Sequence, residues 1–572
     1  MKEKKISFTP EKIWGILLFA FFAWFIFAFL IFPNLNTIVS VFYQNGHFTT
    51  EVFTKLLKSE KAMKSLRNSL ILAPSLSLTV GFVGISLVLI TEYFDIKGAK
   101  ILSLGYMTTL IYSGIILVSG YKFLYGKTGF LTSLLVKIFP SFPIDWFQGY
   151  WAVLFVMTFA CTSNHMIFLR NAIRAVDFQT IEAAQNMGAS QFRILTKVLL
   201  PTLTPSLLAV TILTFITGLS ATSAPLLVGG QNFQTITPMI LTFANNVSSR
   251  PLAALLALFL GLATIVLLTV MIQIEKRGHY MSISKVKTKI VKQKIHNPVL
   301  NVLAHMYAYV LFVIYVLPIA MVVLFSFTDA ATIASKKLTL SSFTLENYIS
   351  VFRKASSYKP FLVSISYSAV AATAVAIIVL VACRIIHKRK DRLAGALEYS
   401  LLIPWMLPNT LMALGLIITY NVPHLWMANR VLTGTSVIMV LGYIIIKLPF
   451  TLRMTKAAFF SLDDSLEDAA RNLGAKPLYT FIRVQLPIIM PTVLAIFALN
   501  FNGLLNDYDM SVFMYHPLRQ PLGVYVKSLT DSEANADNAA LTFVYAVLMM
   551  IISTIVMYLV YGRGNKLDES KT

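Results

Sequence analysis

Long apolar runs separated by short polar connections set the pattern of this chain. Each run comes close to or exceeds about 18 residues, enough for a helix to cross a hydrocarbon core of about 30 Å. The pattern predicts twelve such helices. The first six fall at roughly 13–32, 69–91, 101–120, 150–169, 203–228 and 252–274. The second six fall at roughly 302–326, 361–384, 396–420, 433–451, 489–513 and 541–561. The run from about Ile13 follows a short basic start, as in a signal peptide, but it is too long for one and no small-residue cleavage site follows, so it reads as a retained first helix.

One segment occurs twice at a constant offset. Glu182-Ala183-Ala184 leads to Gly188-Ala189 and on to Leu200-Pro201. Asp468-Ala469-Ala470 leads to Gly474-Ala475 and on to Leu486-Pro487, with one offset throughout (474 − 188 = 286). The register extends outward, pairing Asp177 with Asp463, Pro205 with Pro491 and Phe215 with Phe501. A gap-free match of this length points to duplication of a whole half. The expected architecture is therefore an all-α polytopic membrane protein of two parallel six-helix repeats. Residues 1–274 form the first half, 275–300 a basic linker and 301–572 the second half.

Composition agrees with a membrane chain. The 572 residues are 57% hydrophobic and 13% charged, against about 25% charged in soluble domains, and mean hydropathy is +0.72. A net charge of +23 invites a nucleic-acid reading, but the basic residues lie between the apolar runs. With the N-terminus placed in the cytoplasm, the inner segments carry 30 Lys and Arg and the outer ones 17. That bias predicts both termini inside and no nucleic-acid partner. The densest basic stretch, Lys276 to Lys294, becomes a cytoplasmic linker whose charge serves topology. Cys161 and Cys383 lie within predicted spans and imply neither a disulfide framework nor a metal site.

By this topology both repeated loops face the cytoplasm, between the fourth and fifth spans of each half. Glu182 and Asp468 each open a short helix, where an acid suits the dipole. Gly188 and Gly474 suit the left-handed turn that ends a helix, and Pro201 and Pro487 re-aim the chain before the next span. A knob present twice implies a partner with two matching sockets.

These segments resemble the EAA loop of ABC-importer permeases, whose pattern is E-A-A-x3-G-x9-I-x-L-P. The first copy matches at Glu182, Ala183, Ala184, Gly188, Leu200 and Pro201, with Val198 in the place of Ile. The second matches at Ala469, Ala470, Gly474, Leu486 and Pro487, with Asp468 for Glu and Val484 for Ile. The resemblance spans roughly 65–275 and 360–562. It implies that these loops are coupling helices docking into two ABC ATPase subunits, which would hold Mg-ATP. It also implies an extracytoplasmic solute-binding protein and a place in the bacterial inner membrane. The fused arrangement is similar to ferric-iron permeases, and also to thiamine and 2-aminoethylphosphonate ones, with polyamines a further alternative. Tyr125–Leu131 and Ser223–Gly230 lean toward the iron type.

No catalytic constellation emerges, so an enzyme is not expected. The near-phosphate-loop Gly120 to Thr128 has one residue too many between its glycines and falls in an outer loop. The eleventh predicted span carries Asn500, Asn502, Asn506, Asp507 and Asp509, and its repeat partner carries Thr214, Thr217 and Ser220. Polar groups at membrane depth are costly and tend to line interior paths. The spacing of Asn502, Asn506 and Asp509 places them on about one helical face, so these, with Asp507 and Thr214, are the candidate translocation path. His165 reads as a structural residue and Lys447 as one that snorkels to the inner interface. An ion-coupled secondary transporter also uses duplicated six-helix halves, but it gives no reason for the two loops.

Overall fold

The computed structural model describes residues 10–559 apart from 45, 112–113, 175, 177, 278–290, 390, 461, 464 and 532–535. The basic N-terminal start, residues 560–572, Asp177 and most of the basic linker therefore lie outside the described residues. The described chain is helical almost throughout, with a two-residue hairpin, Tyr43–Gln44 against His47–Phe48.

Among the described residues nine helices are long and apolar enough to cross a membrane, or up to eleven if two sharply bent pairs each count as one. The chain begins with α1 (Gly15–Phe42) and α2 (Glu60–Tyr93). Next come α3 (Ala99–Tyr106), α4 (Gly114–Tyr125), α5 (Tyr150–Arg174), α6 (Phe178–Asn186) and α7 (Leu200–Leu219). The long helices α8 (Arg250–Arg277), α9 (Pro298–Ser326) and α10 (Ala355–Arg389) follow. The chain continues through α11 (Asn409–Tyr420), α12 (Ser436–Phe460), α13 (Ser465–Asn472), α14 (Leu486–Leu505) and α15 (Ala536–Met557).

Among the described residues three of the expected spans are bent or broken. Near the expected third span the chain turns by 114° between Ala99–Leu110 and Gly114–Ile138. The expected 396–420 helix is broken into Arg392–Leu401, Ile403–Met406 and α11. Pro408 explains the second break: Leu407 before it is extended at φ −115°, ψ 138°, as a residue preceding proline prefers. The helix left over, α11, has 12 residues and rises only about 18 Å. The fifth expected span, 203–228, bends by 62° around residue 205 and ends at Leu219.

The repeat is visible in the elements themselves. Helix α12 begins and ends 286 residues after α5, and α14 does the same relative to α7. Even the π-helical turns recur at that offset, Leu195–Leu199 and Phe481–Gln485. Each widening lies just before Pro201 or Pro487, which cannot donate to the carbonyl one turn back. In both halves the helix that follows packs on the same pair: α7 on α2 and α5, α14 on α10 and α12.

The first helix of each half packs with the other half's helices. Phe22, Phe25, Ala28 and Phe29 of α1 share a core with Tyr367, Val375, Met412 and Tyr443, and Tyr420 donates its hydroxyl to the Ala28 carbonyl. Reciprocally, Ala308, Leu311 and Tyr315 of α9 pack with Tyr106, Ile115 and Phe159. There Tyr106 donates to the Ala308 carbonyl at 2.7 Å and Thr162 meets the Tyr315 hydroxyl. The halves are laced together by this exchange, so the linker is not their sole connection.

Candidate functional site

Both repeated loops fold into the same knob. Helix α6 ends in a Schellman motif: the Gly188 N–H donates to the Gln185 carbonyl at 2.9 Å and the Ala189 N–H to the Ala184 carbonyl at 3.0 Å. Helix α13 ends identically, Gly474 to Arg471 at 2.9 Å and Ala475 to Ala470 at 3.0 Å. The two glycines sit at φ +79° and +80°, the left-handed region that costs a side chain about 1–2 kcal/mol. After each turn a short helix follows, Gln191–Ile194 or Pro477–Thr480, then the π-helical turn and α7 or α14. Ala184 is buried and Glu182, Ala183, Pro201 and Pro487 are exposed, while Leu200 and Leu486 are half-buried. Asp468 is exposed and pairs with Arg471 at 2.5 Å.

The knobs carry apolar tips at equivalent positions. Met187 is 80% exposed and Leu473, 286 residues on, is 88% exposed; Phe192 and Leu478 form a second such pair at 74% and 65%. Large apolar side chains gathered on an exposed knob mark a binding surface. Sequence reasoning missed all four, although the signal was present as apolar residues at matching register in an otherwise polar loop.

The second knob is anchored to α10 by charge. Lys388 pairs with Glu467 at 2.9 Å, and Gln485 donates to Glu467 at 3.1 Å. Arg384 donates to the Pro477 carbonyl at 2.6 Å and lies 4.3 Å from the Phe481 ring centroid. Burial works against ionisation of Glu467, but hydrogen bonds from Lys388 and Gln485 and the charges of Lys388 and Arg384 outweigh it, holding the carboxyl below its ordinary value.

Helices α7 and α14 lead from the knobs toward a cavity of about 300 Å³. Its wall includes Ser220, Thr222, Thr264, Asn409, Thr410 and Asp509, drawn from both halves. One oxygen of Asp509 and the Thr410 hydroxyl are buried without a hydrogen-bond partner among the described residues.

The polar positions of the eleventh expected span do not share one helical face, because α14 stops at Leu505 with Asn506 as its cap. Asp509 reaches the cavity from the following turn. Asn502 donates to the Ser553 carbonyl of α15 at 3.3 Å, and Asn506 back to Asn502. Asp507 accepts from the Met510 and Ser511 N–H groups at 3.2 and 3.0 Å, capping a short turn. Asn500 donates to Thr451 at 2.7 Å, tying α14 to α12. Thr214 meets His165 Nδ1 at 3.4 Å, tying α7 to α5. These two ties occupy equivalent places, 286 residues apart in both members. Lys447 is half-buried and lies against α14, its Nζ within 2.8 Å of where a Cβ on Gly503 would sit.

A polytopic helical bundle with a duplicated, exposed pair of loops and a polar-lined cavity between its halves has the architecture of a transport permease. Residues 374–563 match the family described as the binding-protein-dependent transport system inner membrane component. The chain is 36% identical over 536 residues to the probable ABC transporter permease protein y4fN of Sinorhizobium fredii, covering 94% of each. It is 22% identical over 516 residues to a putative ferric transport system permease protein of Haemophilus influenzae, covering 88% of this chain and 78% of that one. It is 27% identical over 255 residues to the putrescine transport system permease protein PotI of Escherichia coli, covering 44% and 87%. The chain belongs to the ABC transporter permease family, a multi-pass membrane component of transport and not an enzyme.

Proposed function

We propose that this permease imports ferric iron delivered by an extracytoplasmic binding protein, driven by two ATPase subunits docked at residues 182–201 and 468–487. The observation that carries the docking is the matched pair of knobs, each closed by the same turn and tipped by the same two apolar positions. In this reading both knobs and both termini face the cytoplasm, and Mg-ATP is bound and hydrolysed on the partner subunits.

Movement of a knob passes directly to the cavity. Each knob runs into a 20-residue helix; α14 rises about 30 Å, and α7 bends by 62° around residue 205. Helix α7 ends at Leu219, just before the lining residues Ser220 and Thr222, and α14 ends one turn before Asp509. Closure of the ATPase subunits on ATP would push the knobs together and tilt both helices, opening the cavity to the outer face. Nucleotide can bias that equilibrium only by binding the two states with different affinity.

Ferric iron is preferred because the relative named for ferric transport aligns over most of this chain, whereas the putrescine relative aligns over less than half. The deciding experiment is uptake of labelled ferric iron in cells with and without the gene, with thiamine, 2-aminoethylphosphonate and polyamines as competitors. Loss of iron uptake on deletion, insensitive to those competitors, is the expected result. Unchanged iron uptake refutes the solute and leaves the family membership intact.

A further inference from the structure

The two knobs are alike in shape but are held differently, and the difference lies in the chain between the halves. Gln293 pairs with the end of α2 as an isolated parallel bridge to Phe94. Its N–H donates to the Tyr93 carbonyl at 2.8 Å and its carbonyl accepts from the Asp95 N–H at 2.9 Å. Its side-chain oxygen accepts from Gln185 at 2.7 Å, and the Lys294 carbonyl accepts from Gln191 at 2.6 Å. Gln185 and Gln191 stand on either side of the Gly188 turn, so residues 291–295 strap the first knob to α2 across that turn. Ile295 turns inward against the core. Lys292 and Lys294 of this strap are exposed, on a segment bonded to Gln185 and Gln191.

The second knob is held by α10 instead of by the linker. Arg384 and Lys388 are turned inward on the Pro477 carbonyl and Glu467, while the paired Asp468 and Arg471, and Lys476 and Arg483, are exposed on the loop itself. Two ATPase subunits with the same socket would therefore meet the same apolar tips with the linker beside one of them.

We propose that residues 291–295 are a third part of the first docking surface, where Lys292 and Lys294 face an acidic rim on the ATPase subunit. This rests on the knobs being the ATPase docking sites. The strap also makes the inter-half linker part of the coupling machinery rather than a tether. Rim charges mainly steer encounter and fix orientation, so reversing Lys292 and Lys294 should weaken docking at the first site and not at the second.

The test uses the full permease with its ATPase subunits and a photo-cross-linking amino acid at position 187 or at position 473. In one variant Lys292→Glu and Lys294→Glu are combined; in a second, Gln293→Pro removes the N–H that holds the strap to Tyr93. Both are expected to lower cross-linking from position 187 by about tenfold and to leave position 473 unchanged. No change at 187, or an equal fall at both positions, overturns the proposal. So does a defect confined to uptake in vesicles containing anionic lipid with both cross-links intact, which would assign the lysines to the membrane surface. Absence of cross-linking from either position in the otherwise unsubstituted protein overturns the docking reading itself, and this one with it.

Discussion

The paired glycines allow a sharp test of what the knobs do. Gly188 and Gly474 sit at φ +79° and +80°, and a Cβ added at either would meet nothing within 4 Å. A substitution there costs backbone strain without a clash inside the permease. Asparagine tolerates the left-handed region, alanine loses about 1 kcal/mol, and the β-branched valine about 2 kcal/mol. Two kcal/mol is about a 30-fold shift in the population of the formed turn. The strain at the two sites should add, since the turns share no partner. The expected order at each site is Gly above Asn, then Ala, then Val, in both ATPase co-purification and ATP-driven uptake. Permease levels in the membrane should stay unchanged, because the turns lie outside the packed helices. Full uptake by the Gly188→Val, Gly474→Val double variant would refute the coupling role. Asparagine as damaging as valine would also sink the idea, since bulk on a contact surface, and not φ, would then be the cause.

Two further outcomes are expected. Asp509→Asn should lower solute uptake about tenfold while ATPase co-purification stays at the wild-type level; normal uptake would show that this cavity carboxylate, one oxygen of which is unpartnered, plays no part in passage. Glu467 is held below its ordinary pKa, so its contribution to anchoring α13 is complete above the ordinary glutamate value of 4.5 and is lost as pH falls through the lower folded value. Hydrogen exchange corrected for intrinsic rate should therefore show α13 losing protection only below the ordinary glutamate value of 4.5, ahead of α6, which is strapped by neutral amides; simultaneous loss in both helices would contradict the ionic anchoring.

What the sequence made legible depends on which signals are local. Duplication was readable because register survives in individual residues, and the identical bounds of α5 and α12, or α7 and α14, at one offset are the same fact in three dimensions. The break before α11 was also written locally, in Pro404 and Pro408, but an apolar run hides it from a hydropathy reading. The exchange of α1 and α9 between the halves was not legible, since hydropathy reports that a helix is long enough to span and says nothing of which neighbour it packs on. The same limit applied to Asp509: helical periodicity put it on a face with Asn502, whereas the helix ends at Leu505 and the following turn delivers Asp509 alone to the cavity.

The linker shows why that distinction matters for mechanism. Read as composition, Lys276 to Lys294 is a topogenic run of positive charge. Read through its partners, its last residues join the end of α2 to the flanks of the Gly188 turn. Helix α2 also packs against α7, the helix that runs on from the first knob to Ser220 and Thr222. The strap thus ties the knob to a neighbour of its own lever, so displacement of the first knob must carry α2 with it or break the bridge at Gln293. The second knob is linked the same way through Arg384 and Lys388 of α10, which packs against α14. Both halves therefore clamp the knob to the helix beside its lever, one with amides supplied by the linker and the other with charge supplied by the helix itself. Equivalent motion from unequal contacts is what a fused chain permits, because its two halves are free to diverge.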